Sequence, residues 1–100
     1  MTAPRSILVR RIVVQGAVQG VGYREFTRRA AQRLDVSGWV RNRSDGAVEA
    51  LLRGPAAGVE ALVAAMRRGP RFAVVEKLTM IELDAAQDGD GGTFEVLSTA

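Results

Sequence analysis

The feature that most constrains this chain is a change of hydrophobic period near its start. Ile7-Leu8-Val9-Arg10-Arg11-Ile12-Val13-Val14 is dense in β-branched residues and stops at Gly16, reading as a central strand. Gly20 and Gly22 then mark a loop. From Tyr23 the apolar residues fall at helical spacing, with Phe26, Ala30 and Leu34 at i+4 steps and Arg28, Arg29 and Gln32 on the opposite side. A helix is expected from about Gly22 to Leu34.

The same alternation recurs downstream. Val36 to Arg41 is extended, Asn42-Arg43-Ser44-Asp45-Gly46 supplies a turn, and Ala47 to Arg53 completes a hairpin. Gly54-Pro55 breaks the strand and starts a second helix with Val59, Leu62, Val63 and Met66 at i, i+3, i+4 and i+7, and Gly69-Pro70 ends it. A fourth strand follows at about Val74 to Leu83, then a polar loop to Gly92 and a short last strand at Phe94 to Val96. This order is the split βαβ pattern: an α+β, ferredoxin-like sandwich with an antiparallel sheet covered on one face by two helices. Residues 1–6 are read as a flexible N-terminus and 7–97 as a single domain, 100 residues being too few for two cores.

Composition narrows the chemistry. The chain has no cysteine and no histidine, which removes the usual zinc ligands, the histidine general base and phosphohistidine or phosphocysteine intermediates. A formal net charge of +3, nearly all of it arginine, favours anionic partners without choosing between nucleic acid and phosphorylated small molecules. With no apolar run long enough to span a bilayer and no secretory h-region, a cytoplasmic protein away from membranes is expected.

Gly16, Gly20 and Gly22 crowd the junction of first strand and first helix, where backbone N–H groups can turn toward one point without Cβ obstruction. The helix N-terminus adds free donors and partial positive charge, and Arg24 lies in its first turn. A guanidinium fork suits phosphate geometry. Spacing alone leaves two readings open: an anion site, or a tight turn beside a solvated arginine. Gly20-x-Gly22 lacks the third glycine of a dinucleotide fingerprint, and no P-loop is present.

Val14-Gln15-Gly16-Ala17-Val18-Gln19-Gly20-Val21-Gly22-Tyr23-Arg24 resembles the first signature of the acylphosphatases, and Gly38-Trp39-Val40-Arg41-Asn42-Arg43-Ser44-Asp45-Gly46-Ala47-Val48-Glu49 resembles the second. The likeness continues through Gly69-Pro70 and Ala73 to Glu76. It departs at Ala17, where the family usually has a basic residue, and at Leu97, where an aromatic is common. The resemblance implies a ferredoxin-like enzyme that hydrolyses acyl phosphates to carboxylate and inorganic phosphate with no cofactor and no metal. It implies that Arg24 binds the phosphate within the backbone amides of Gln19, Gly20, Val21, Gly22 and Tyr23, and that Asn42 positions the attacking water. By residue type alone, Asn42 before Asp-Gly reads as turn chemistry.

An acyl phosphate expels a carboxylate with a conjugate-acid pKa of about 4 to 5, so no general acid is required. Charge clamping and placement carry most phosphoryl-transfer catalysis. Asp35, Asp45 and Asp84 show no arrangement for a phosphoaspartate, Asp88-Gly89-Asp90 lacks the glutamate that closes an EF-hand loop, and Trp39 is expected to pack on the sheet or the first helix. The alternative from another class is a basic ferredoxin-like RNA-binding module; it is disfavoured because only 5% of residues are aromatic and Tyr23 and Phe26 open a helix. A monomer with no nucleic-acid partner is expected.

Overall fold

The computed structural model describes residues 7–84 and 92–100. The expected flexible end, 1–6, and the Asp88-Gly89-Asp90 segment lie outside them. Seven elements follow in order: β1 (Ile7–Ala17), α1 (Tyr23–Arg33), β2 (Ser37–Asn42), β3 (Val48–Pro55), α2 (Ala56–Arg68), β4 (Val74–Leu83) and β5 (Phe94–Val96). The sheet order is β4-β1-β3-β2-β5, with β1 between β4 and β3 as the split pattern requires.

The sheet is mixed where an antiparallel one was expected. β1, β2, β3 and β4 pair antiparallel, but β5 runs parallel to β2, matching Gly38 with Phe94 and Val40 with Val96. A three-residue strand carries too little pattern to state its direction. Its place comes from the free edge of β2, where Gly38 N–H donates to Thr93 O at 3.2 Å and Leu97 N–H to Val40 O at 2.9 Å. β1 also runs past its expected end. A bulge against β4 between Gln15 and Gly16 keeps the strand paired to Ala17. Gly16 is required there, because its φ is +132° and a Cβ would collide with the carbonyl oxygen of Val74.

The core lies between the sheet and the two helices. Ile12, Val14, Val40, Val48, Ala50 and Leu52 face Ala30 and Ala31 of α1 and Val59, Leu62, Val63 and Met66 of α2. The α2 stripe is the one its spacing predicts. α1 differs: its buried residues are Tyr23, Thr27, Ala30 and Ala31, and Phe26 is only half-buried. Thr27 is polar by type, which hides it from a hydrophobic pattern, but its hydroxyl donates to Tyr23 O at 2.9 Å and so enters the core satisfied. This rotation of the helix brings Arg28 away from the outer side where its sequence phase put it.

Among the described residues, the other sheet face has no helix. There the buried carboxylate of Glu49 joins Arg11 and Arg41 across three strands, and the Arg41 guanidinium lies 4.9 Å from the centre of the half-buried Trp39 ring. Strand alternation puts Trp39 opposite Val40, so it packs on the sheet's open face rather than on α1.

Candidate active site

The site forms where β1 hands the chain to α1. Gly20 and Gly22 have φ of +74° and +77°, and a Cβ at either would meet nothing within 4 Å, so backbone conformation and not space requires glycine. Gly22 is also the N-cap of α1, and no side chain caps that helix. The first hydrogen bond of the helix runs from Phe26 N–H to Gly22 O at 3.0 Å. Among the described residues, none of the backbone N–H groups from Gln19 to Glu25 finds a protein acceptor. Seven consecutive donors without an internal partner are an unusual local surplus, because backbone donors are ordinarily paired.

Five of the seven residues that carry them, Gly20, Gly22, Tyr23, Arg24 and Glu25, line a cavity of about 400 Å³ together with Val18, Arg28, Asn42 and Val96. Arg24 is half-buried, and among the described residues its guanidinium has no hydrogen-bonding partner. Asn42, the last residue of β2, enters the same cavity from the sheet, 18 positions after Arg24 in the chain. Its backbone carbonyl accepts from Ala100 N–H at 3.0 Å, while its side-chain amide has no protein partner among the described residues. The hairpin turn is closed by other groups. Asp45 Oδ1 accepts from Ala47 N–H at 3.0 Å, Arg43 N–H donates to Ala47 O at 2.8 Å, and Gly46 supplies a φ of +95°. Turn chemistry therefore does not use the Asn42 amide.

Of the residues singled out in the sequence, Gly20, Gly22, Tyr23, Arg24 and Asn42 come together on this cavity, whereas Gln19 and Val21 do not line it. Val21 packs against the core. The Gln19 side chain reaches across the fold: Nε2 donates to Arg43 O at 2.8 Å and to Ala47 O at 2.9 Å, tying the glycine loop to the turn beyond Asn42. Tyr23 is anchored in the core, its hydroxyl donating to Met66 O of α2 at 2.6 Å, and that burial pushes its pKa up. A buried tyrosine offers no stacking surface for a base. The loop is thus held from below by Tyr23 and from the side by Gln19, which gives Arg24 and Asn42 fixed origins.

Sequence reasoning missed Glu25 and Arg28 as cavity residues. Arg28 donates to Glu25 through Nε at 2.8 Å and Nη2 at 2.5 Å, and Arg29 Nε adds a third bond at 3.0 Å. The hydrogen bonds from Arg28, followed by those from Arg29, hold the Glu25 carboxyl down at about 2. The available signal was the i+4 spacing from Arg24 to Arg28. Among the described residues, no cluster of three metal-ligating side chains occurs. No helix among them is long and apolar enough to cross a membrane.

By fold the chain is a ferredoxin-like α+β protein, and its cavity collects a guanidinium and backbone donors that have no partner among the described residues. The comparisons narrow that class. The Acylphosphatase family model matches residues 10–96. An acylphosphatase from Rhodopseudomonas palustris is 58% identical over 73% of this chain and 74% of its own length. Another, from Azoarcus sp., is 48% identical over 99% of both chains. The crystal structure of acylphosphatase from Bacillus subtilis superposes with a TM-score of 0.82 and 36% identity, covering 90% of this chain and 98% of that one. The chain belongs to the acylphosphatase family. It is an enzyme whose activity is the hydrolysis of acyl phosphates, with inorganic phosphate as a product; the RNA-binding alternative is not favoured.

Proposed function

We propose that Arg24 and the backbone amides of the Gln19–Tyr23 loop hold the phosphoryl group, and that Asn42 orients the water that attacks it. The observation that carries this reading is that the Arg24 guanidinium, the Asn42 side-chain amide and the N–H donors of Gly20, Gly22 and Tyr23, all without a protein partner among the described residues, belong to residues lining one cavity. Each lacks what a phosphate or a water would supply.

In this reading the phosphoryl oxygens take bonds from Arg24 and from the N–H groups at the start of α1, where the helix dipole adds favourable potential. The Asn42 side-chain carbonyl accepts one hydrogen bond from water and aims its oxygen at phosphorus. The new O–P bond forms as the bond to the acyl oxygen breaks, and the carboxylate leaves with the electron pair. The water's surplus proton passes to the phosphate. A pH–rate profile that follows the substrate's ionisation supports that last transfer, whereas one that follows an enzyme group contradicts it. Because the leaving group departs unprotonated and the clamp consists of guanidinium and amides, the scheme uses no metal and no cofactor.

Hydrolysis of benzoyl phosphate in the presence of a chelator tests the scheme. Full activity is expected, and activity abolished by the chelator would overturn it. Every group the scheme uses comes from a single chain, so the scheme requires no partner subunit, and in the same reading the protein acts as a monomer in the cytoplasm without nucleic acid or membrane. A sedimentation measurement that gives a dimer as the active species would contradict the first part of that reading.

A further inference from the structure

The cavity is larger than its catalytic groups need. At about 400 Å³ it falls within the range of sites that enclose a whole small molecule rather than a bare phosphate. Its helical wall carries a second guanidinium, Arg28, one turn further along α1 than Arg24 and so about 6 Å along the helix axis. Glu25 lies between them in sequence and binds both Arg28 and Arg29, two cations on one carboxylate, which leaves that cluster one positive charge in excess. Asn42 comes from the strand wall. Attack from that side leaves the helical side for the departing acyl group, directed toward Arg28.

Resting on the reading of Arg24 and Asn42 above, we infer that Arg28 is a specificity residue that selects acyl phosphates whose acyl end bears a second anion, a carboxylate or a phosphate. The phosphoryl group occupies the mouth of α1, and the acyl chain runs along the helix. Its distal anion meets the Arg28 guanidinium, which is already held in a fixed direction by Glu25 Oε1 and Oε2. An acyl end that is neutral finds only the uncompensated charge, and a cationic one is repelled.

The test compares kcat/KM for 4-carboxybenzoyl phosphate, in which one carboxyl is phosphorylated and the other free, with that for benzoyl phosphate. The wild type is expected to favour the carboxylated substrate. In Arg28→Gln that ratio falls about tenfold, at the lower end for a charge-assisted hydrogen bond. Arg28→Lys keeps part of the preference. Glu25→Gln moves the ratio the other way, by a few-fold, because it removes the competing carboxylate. A wild type without preference, or an Arg28→Gln that lowers both substrates equally, overturns the inference; the second result would put Arg28 on the shared acyl-phosphate group. The opposite sign expected for Glu25→Gln keeps the test decisive if Arg28→Gln does not fold. Failure of the underlying reading looks different, since both substrates would then survive Arg24→Ala.

Discussion

Among the described residues the chain passes from strand to helix twice, and only one of the two passages borders the candidate site. Between β1 and α1 the chain takes a loop, turns left-handed at Gly20 and Gly22, and starts the helix under Arg24. Between β3 and α2 there is no loop. Pro55 ends the strand and is itself the N-cap, at φ −58° and ψ 144°, and Ala56 begins the helix directly. Neither helix has a side-chain cap, and α2 has no charged residue in Ala56-Ala57-Gly58-Val59. Gly58 serves packing, because a Cβ there would stand 2.6 Å from Leu34 O at the end of α1. Both N-termini carry the same dipole and the same unfilled donors. What distinguishes α1 is a glycine loop that exposes further amides, an arginine at the entrance and a facing amide on β2.

Replacing the groups that make the difference should break it in a graded way. Arg24→Ala should have the largest effect, a loss of about 10⁴-fold or more in kcat/KM for benzoyl phosphate together with loss of inorganic phosphate as a competitive inhibitor. Asn42→Ala is expected to lower kcat by about 10² to 10⁴ while phosphate inhibition largely persists. Glycine replacements then compare the two passages directly. Gly22→Ala forces a side chain into the left-handed region, costing about 1 to 2 kcal/mol, and should weaken phosphate binding as the donors turn away. Gly58→Ala should lower Tm by crowding Leu34, with the phosphate inhibition constant of the folded protein unchanged. Paired melting curves and inhibition constants would show whether the two effects separate in this way.

The smallest effect is expected far from either passage. Burial would raise the Glu49 carboxyl, but hydrogen bonds and charge from Arg11 and Arg41 outweigh it, so the folded pKa lies below the ordinary carboxylate value. A depressed folded pKa contributes stability that is present above the unfolded pKa and is lost as pH falls through the folded one. Denaturant midpoints of the wild type should therefore drop on acidification below the ordinary carboxylate range. Glu49→Gln, less stable at neutral pH, should show a flatter acid profile. An identical acid slope in both proteins would remove Glu49 from the account.

Both passages were legible in the sequence as breaks in period, and so were the helices and the first four strands. The direction of β5 was not, because three residues next to a polar loop carry no pairing signal. Nor was the burial of Thr27, since its hydroxyl is satisfied by its own helix at the Tyr23 carbonyl. That one residue shifts the buried stripe toward Arg28, which is half-buried and lines the cavity. That Arg24 and Asn42 meet on one cavity was legible through their motifs. The reason Asn42 is available was not, because the turn could have used its amide, and only the bonds made by Asp45, Arg43 and Gly46 show that it does not. Gln19 shows the converse case: the sequence counts it as a cradle amide, whereas its side chain braces the hairpin.

The division of labour between Arg24 and Asn42 is the central claim, and calorimetric titration of inorganic phosphate into the two alanine variants tests it most directly. Asn42→Ala should bind phosphate close to wild-type affinity despite its lost turnover, and Arg24→Ala should show no binding. Equal loss of phosphate affinity in both variants would contradict the account.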